Sequence, residues 1–159
     1  MKTRLLFLLF LVNLSLYSQS SAIDSIQTYL EQSYKVYRHD KLPLLEKALD
    51  LAEKTQIDSL VKKTAYEYGL HSYYNKHRQG LYKANGQILT LFRKTKDSVY
   101  LAKYYHFKAL EQKIKLDVDS AFYYYHHSKD ISNAIKDSLE IGRRLLSIAL
   151  LQKDAKDYL

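Results

Sequence analysis

Apolar residues recur every three or four positions along most of the chain, which is the spacing of one face of an α-helix. Strand-like alternation is scarce, and the single proline, Pro43, falls where the first turn of a helix would tolerate it. The pattern therefore predicts an all-α domain with short polar breaks. We expect its helices at about 24–38, 41–55, 58–76, 79–94, 97–115, 119–135 and 138–152.

The first eighteen residues have a different pattern. Lys2 and Arg4 precede the unbroken apolar run LLFLLFLV, and small and polar residues become more frequent after it. That order is typical of a secretory signal peptide, and the run is shorter than the ~20 apolar residues of a stable membrane span. We expect residues 1–18 to be a signal peptide and the protein to be exported to the periplasm or cell envelope. A cut near Ala22, an uncleaved anchor and a retained helix remain alternatives.

Composition narrows the classes of function. The chain has no cysteine, so a disulfide framework, a thiolate metal site and a lipid-anchored N-terminus are excluded. Loss of the leader lowers the formal charge from +8 to about +6, and the basic residues alternate with acidic ones. This favours a solvated, mildly basic surface and no nucleic-acid partner.

An Asp-Ser-apolar tripeptide recurs along the chain, beginning at Asp24, Asp58, Asp97 and Asp137. Successive copies are roughly 34 to 40 residues apart, which is the length of a helical-repeat unit. An aspartate at a helix start can accept free backbone N–H groups and complements the helix dipole. We therefore expect each to begin a helix, with capping boxes joining Asp24 to Gln27 and Asp137 to Glu140.

Two predicted helices lie between successive tripeptides. The units are expected at about 24–57, 58–96, 97–136 and 137–159, the last one incomplete. A lone helix pair buries only one face, so such units must stack in series. Their length lies in the tetratricopeptide range, although armadillo and HEAT units overlap its upper end.

Several residues resemble the tetratricopeptide pattern of a large and then a small residue in the first helix, and small, aromatic and small residues in the second. They are Ala109, Ala121, Tyr125 and Ser128 in the third unit, Tyr68 and Gly69 in the second, and Ile148 and Ala149 in the fourth. Lys108 departs from the pattern at a large apolar position, and the consensus proline is absent.

The resemblance implies an α-solenoid of stacked antiparallel helix pairs. The arrangement is similar to the exported N-terminal repeat region of bacterial tetratricopeptide sensor and regulator proteins. In that family a membrane helix and a cytoplasmic kinase or DNA-binding module often follow the repeats. The expected role is thus a non-catalytic, extracytoplasmic interaction module, which forms the sensory or scaffold part of a longer signalling protein.

The predicted helix 138–152 is apolar nearly all round. A helix of that kind is usually buried on both sides, whereas a terminal repeat should keep one polar face. We expect either that the chain is a fragment that continues, which is the only route to a membrane contact, or that this helix associates with a second molecule.

Candidate chemistry is sparse. No His pair has the i, i+4 spacing of a helical zinc site, and the adjacent His126 and His127 point about 100° apart on a helix. Asp117 and Asp119 are interpreted as capping and turn residues. We therefore expect no catalytic residues, no metal and no cofactor. An exported small-molecule sensor and a small exported hydrolase remain alternatives.

The resemblance also implies a partner groove, because certain first-helix positions line the concave face of the family. These positions are Lys63, Tyr66, Leu70, Tyr73, Lys103, His106, Leu110, Lys113 and Arg143, followed by Leu146, Leu150 and Lys153. The result would be aromatic side chains ringed by cations, which suits a protein or peptide partner with acidic groups. The alternative is that the lysines are solvated surface.

Overall fold

The computed structural model describes residues 20–37 and 40–156, and these confirm the all-α prediction. The predicted signal peptide, residues 1–18, lies outside the described residues. The described part contains seven helices and no strand. They are α1 over 20–35, α2 Lys41–Thr55, α3 Asp58–Tyr74, α4 Arg78–Thr95, α5 Ser98–Ile114, α6 Val118–Ala134 and α7 Ser138–Lys156.

The turns between these helices are evenly spaced. Each turn from α2 onward contains one residue in the left-handed region, and these residues are Gln56, Lys76, Lys96, Leu116 and Lys136, with φ between 55° and 62°. A helix with its turn therefore takes about 20 residues and a helix pair about 40 residues, a length typical of helical repeats. The length of a helix pair is therefore constant along this part of the chain, whereas the spacing of the Asp-Ser-apolar tripeptides varies.

Aspartates follow three of these turns and cap the next helix. The Asp97 carboxylate accepts from the Val99 N–H at 2.8 Å, and the Asp117 carboxylate accepts from the Ser120 N–H at 3.0 Å. The Asp137 carboxylate accepts from the Glu140 N–H at 3.1 Å. Each bond satisfies an N–H that has no partner within the helix.

The expected capping role of Asp24 is wrong. α1 already includes residue 20, so Asp24 lies inside the helix and its capping box with Gln27 does not form. The capping box of Glu140 is also wrong, since the Asp137 N–H donates to the Ser132 carbonyl. The Glu140 carboxylate instead contacts basic side chains, which bind it more strongly than a neutral backbone N–H would.

The described residues form two compact units, divided between Thr64 and Ala65 inside α3. In the first unit, α2 buries Leu45, Ala48, Leu49 and Ala52, which recur at helical spacing on one face. On α1, Ile26 and Leu30 are buried, and Lys47 of α2 lies 5.9 Å from the Tyr29 ring centroid.

In the second unit, consecutive helices pack against each other from α4 to α7. The Asn85 amide of α4 donates to the Glu111 carboxylate of α5 at 2.8 Å. The Ser128 hydroxyl of α6 donates to the Ala102 carbonyl of α5 at 2.8 Å. Residues late in one helix thus meet residues early in its neighbour, which makes these pairs antiparallel.

Alternate helices of the second unit run parallel, and equivalent positions on them are separated in the sequence by the length of one helix pair. The Tyr66 ring of α3 stacks on Phe107 of α5 with centroids 5.6 Å apart. The Lys113 ammonium of α5 lies 3.0 Å from the Asp154 carboxylate of α7. Antiparallel neighbours and parallel alternate helices at one fixed offset are the packing of a helical-repeat-like architecture.

None of the helices in the described residues combines the length and apolarity that a membrane crossing requires.

Candidate functional site

A groove of about 550 Å³ lies in the second unit, along the sides of α3, α5 and α7. We call it the α3/α5/α7 groove. The residues that line it and were predicted from the sequence are Tyr66, Leu70, Tyr73, His106, Leu110, Lys113, Arg143, Leu146 and Leu150. Its other lining residues are Glu67, Tyr74, Tyr125, Arg144 and Ser147.

The constant offset between alternate helices explains why these side chains share one surface. Tyr66, His106 and Leu146 occupy equivalent positions of the three parallel helices and form one row across the groove. A second row, one turn further along each helix, consists of Leu70, Leu110 and Leu150. Since residues three and four apart lie on one face of a helix, both rows face the groove together.

One end of the groove holds a cluster of charges around Glu140. The Glu140 carboxylate accepts from Arg143 at 2.7 Å and from Arg144 at 3.1 Å, and Lys103 donates to it at 3.4 Å. Burial disfavours the charged carboxylate, but Lys103 and the two arginines outweigh burial and lower the pKa of Glu140. Glu140 therefore contacts all three cations of this cluster, and Asp137 acts on Arg143 as well.

Two of the cations in this cluster are withdrawn from solvent. Arg144 is 2% exposed, and its Nε and Nη1 atoms have no hydrogen-bond partner among the described residues. The Lys103 ammonium lies 4.2 Å from the Tyr66 ring centroid, a cation–π distance. Burial lowers the pKa of Lys103 even though Glu140 opposes the shift. Arg143, half exposed, is the cation of the cluster that a ligand could reach.

The other end of the groove carries Lys113. Its ammonium lies 3.0 Å from the Asp154 carboxylate, and it also hydrogen-bonds with Tyr73. Burial opposes the charge, yet Asp154 and the Tyr73 hydroxyl keep the pKa of Lys113 above its ordinary value. Lys113 therefore stays charged at neutral pH.

Neutral aromatic side chains form the middle of the groove. Burial, followed by the charges of Arg144, Lys103 and Arg143, holds the pKa of His106 well below its usual value. His106 stacks on Phe107 with ring centroids 5.7 Å apart. It is therefore uncharged, and it contributes an aromatic surface to the groove.

Tyr125 of α6 lies in the groove wall and is 2% exposed. Burial raises the pKa of its hydroxyl far above the usual value. Burial also raises the pKa of Tyr66, against the opposing effect of the neighbouring arginines. Both phenols therefore stay protonated at physiological pH.

Seven of the nine residues first expected to form the groove line it, and two do not. Lys63 is exposed, belongs to the first unit and is not among the lining residues. Lys103 is covered by Tyr66 and engaged with Glu140. Lys153, an additional position, is exposed but not among the lining residues.

Sequence reasoning misses Glu140 and Arg144. The position of Glu140, three residues after Asp137, suggests a capping box, and the register of the family points to Arg143 instead of its neighbour. The available signal is the i, i+4 spacing from Glu140 to Arg144, which is the distance of a helical ion pair. Tyr125 is recognisable as a family position but not as part of the groove.

Among the described residues, no group of three or more His, Asp and Glu side chains is placed to hold a metal ion. No family model matches the sequence, and no curated protein is significantly similar to it.

Proposed function

We propose that this chain is an exported, tetratricopeptide-like interaction module, whose α3/α5/α7 groove binds an extended segment of a partner protein that carries acidic groups. The observation that carries the proposal is the composition of the groove. It combines apolar and aromatic rows with an end where the Glu140 carboxylate contacts three cations, of which Arg143 is half exposed.

The apolar rows supply the contact area that a peptide needs. Leu110 is buried within the groove wall, whereas Leu146 and Leu150 are exposed at its α7 side. Tyr73 adds a ring that has both an apolar face and a hydroxyl. Side chains of this kind lose little entropy on binding and often carry most of the binding energy of an interface.

The charges supply the preference for acidic partners. Arg143 is half exposed at one end and Lys113 is partly exposed at the other. Arg144 and Lys103 add positive potential from beneath the surface. A carboxylate that approaches Arg143 would form a charge-assisted hydrogen bond.

The same groups support a non-catalytic role. His106, Tyr66 and Tyr125 are each held in the neutral form by burial, and their pKa values lie far from physiological pH. A general acid or base works best with a pKa close to the operating pH. We therefore propose binding and not proton transfer as the role of the groove.

We propose that the signal-like leader directs this module out of the cytoplasm, to the periplasm or cell envelope. We propose that it acts there as the sensory or scaffold part of a signalling protein, and that its ligand is another exported protein. This part of the proposal rests on the leader pattern and on the tetratricopeptide-like spacing of the sequence.

The test uses peptide libraries in matched pairs, with Asp and Glu in one set and Asn and Gln at the same positions in the other. We expect the protein to select acidic peptides that also contain aromatic or aliphatic residues. The double variant Arg143→Gln/Lys113→Gln should bind the selected peptides at least tenfold more weakly, because it removes the accessible cations.

The control is Lys96→Gln/Lys136→Gln, which removes the same charge from two exposed turn residues outside the groove lining. The control should retain wild-type affinity. Equal loss in the two double variants would mean that net charge, and not the groove, attracts the peptides. Equal selection of acidic and amide peptides would remove the acidic preference and leave the groove itself as the binding site.

A further inference from the structure

Three buried nitrogen atoms in the wall of the α3/α5/α7 groove have no hydrogen-bond partner among the described residues. They are Nε and Nη1 of Arg144 and Nδ1 of His106. The two side chains are 2% and 6% exposed, and both line the groove. Buried polar atoms are nearly always hydrogen-bonded, so each exception needs an explanation, and a ligand that pairs with them is one.

The unpartnered atoms belong to one region of the wall. Among the charges that act on His106, that of Arg144 has the largest effect. The Tyr66 hydroxyl interacts with Arg144, and the Tyr66 ring centroid lies 6.3 Å from that of His106. The Tyr125 ring centroid lies 6.0 Å from His106, and the charge of Arg144 acts on Tyr125 as well. Arg144 and His106 are therefore neighbours, with one tyrosine from α3 and one from α6 beside them.

This region of the wall needs a hydrogen-bond acceptor. The guanidinium nitrogens can only donate, and a histidine with a proton on Nδ1 donates from that atom too. The Glu140 carboxylate already accepts from Arg143, Arg144 and Lys103. A carboxylate supplied by a ligand is acceptor-only and carries the charge that complements Arg144.

Burial makes these nitrogens better partners for a carboxylate than an exposed cation. Arg143 is half exposed and must give up water before it binds an anion. Arg144 and His106 gave up their water when the protein folded, so a new hydrogen bond there is opposed by less desolvation. Charge-assisted bonds are also stronger in the low dielectric of a protein interior. Arg143 is thus the first contact of an incoming carboxylate, and the wall is where it comes to rest.

We propose that the groove binds a carboxylate group between Arg144 and His106, which donate to it through the nitrogens that have no partner in the chain. This inference rests on the proposed function, because it identifies where an acidic group of the partner is held. The carboxylate of a free small molecule has the same chemistry, and the experiment below distinguishes the two sources. The nitrogens are covered in the structure, so the side chains around them must move as the carboxylate enters.

A carboxylate in this position would favour protonation of His106. The charged and titratable groups that face His106 from α3, α5, α6 and α7 are Tyr66, Lys103, Tyr125, Arg143 and Arg144. The charges among them are positive and, after burial, lower the pKa of His106, whereas Glu140 and Glu67 do not contribute to the shift. A negative group beside the imidazole would raise this pKa. Binding would then take up a proton and become stronger as pH falls.

Two capped amino acids test the proposal, since N-acetyl-glutamate amide and N-acetyl-glutamine amide differ only in the carboxylate. NMR titrations of the purified protein follow the Nε–H resonance of Arg144 and the imidazole nitrogens of His106. We expect the glutamate compound to shift both sets of resonances and to raise the midpoint of the His106 pH titration, and the glutamine compound to shift neither. The proposal is overturned if the glutamate compound leaves both side chains unchanged.

Two variants with matched controls give a second measurement. Arg144→Lys keeps a cation beside Glu140 and should bind the glutamate compound about fivefold more weakly. Arg93→Lys, on an exposed position of α4, should bind as the wild type does. Equal affinity of Arg144→Lys and the wild type would contradict the proposal.

His106→Phe keeps an aromatic ring but has no group to protonate. We expect the wild type to bind the glutamate compound about threefold more tightly at about pH 5.5 than at about pH 7.5, and His106→Phe to lose this dependence. His126→Phe, on an exposed position of α6, should retain it. Circular dichroism shows that each variant folds, and an unchanged pH dependence in His106→Phe would also overturn the proposal.

The same NMR titration with the matched acidic and amide peptides separates this proposal from the proposed function. Acidic peptides that bind the groove without shifting Arg144 and His106 would overturn the carboxylate site and leave the proposed function in place. Binding of the capped glutamate between Arg144 and His106, with no binding of peptides, would support the site, identify a free small carboxylate as its ligand and contradict the proposed function.

Discussion

Glu140 is the residue on which the charge balance of the groove depends. Glu140→Gln removes the one negative charge that Lys103, Arg143 and Arg144 share. Because Arg144 is 2% exposed and cannot turn to solvent, we expect a loss of about 3 kcal/mol in the free energy of unfolding. Urea unfolding at neutral pH measures this loss.

The control for that substitution is Asp130→Asn. Asp130 pairs with Lys129 at 3.3 Å, but its side chain is 64% exposed. A pair of this kind is screened by water and should contribute about 0.5 kcal/mol or less. Similar losses in the two variants would contradict the claim that Glu140 is the counter-ion of a buried cation cluster.

His106 makes stability depend on pH. Its pKa is lowered in the folded protein by burial and by the charges of Arg144, Lys103 and Arg143. As pH falls below about 6.5, the imidazole gains a proton in the unfolded chain but not in the folded one. The unfolded state then binds more protons, so stability falls with pH.

The variant His106→Leu should remove this part of the pH dependence. Between pH 6.5 and pH 5, we expect the wild type to lose about 1.5 kcal/mol more than the variant in urea unfolding. His126→Leu, on an exposed position of α6, controls for the loss of an imidazole. Parallel pH profiles for the wild type and His106→Leu would show that His106 is not held neutral.

At the residue scale, the sequence can predict positions but not partners. The spacing within each helix is enough to place Tyr66, His106 and Leu110 on one face. It cannot show that Lys103 is covered by Tyr66, because that contact depends on how closely α3 and α5 approach. The contact of Glu140 with Lys103 cannot be predicted for the same reason. The sequence around Glu140 matches a capping box, but its carboxylate binds a side chain of another helix.

At the scale of the helix, two glycines have opposite roles. In α3, a Cβ at Gly69 would lie 2.6 Å from Phe107 Cζ and 3.0 Å from Ala84 Cβ. In α4, a Cβ at Gly86 would meet none of the described residues within 4 Å. Gly69 therefore permits close packing of α3 on its neighbours, whereas Gly86 only weakens its own helix.

Alanine substitutions separate these two roles. Gly86→Ala should stabilise the protein by about 0.5–1 kcal/mol, because alanine favours the helix. Gly69→Ala should destabilise it by about 1–3 kcal/mol, because the gain in helix propensity is smaller than the cost of overpacking against an aromatic ring. Thermal unfolding of the two variants provides the measurement. A rise in stability for both would contradict the close packing of α3 on α5.

The helices can be predicted well because their signals are local. α2 has its predicted bounds, and α3 to α6 begin and end within about two residues of the predicted limits. The even spacing of the turns is hard to recognise, because lysine, glutamine or leucine occupies the left-handed positions where glycine is usual. The predicted start of α1 at Asp24 is wrong, because aspartate, a common capping residue, can also lie inside a helix.

At the scale of the whole molecule, the groove depends on a repeat whose alternate helices lie side by side. Within the second unit, Tyr66 and His106 occupy equivalent positions of α3 and α5, and their ring centroids lie 6.3 Å apart. Lys113 of α5 meets Asp154 of α7 at nearly the same offset. The sequence can predict that helix pairs stack. It cannot predict which side chains form the charge cluster around Glu140, because that cluster depends on how the helices pack.

The most direct measurement of the central claim is amide chemical-shift mapping of the protein as an acidic peptide from the matched libraries is added. We predict that the largest shifts follow the rows across the groove, from Tyr66 through His106 to Leu146 and from Leu70 through Leu110 to Leu150, together with Arg143 and Lys113. Shifts confined to the outer surfaces of α4 and α6, with these rows unchanged, would contradict it.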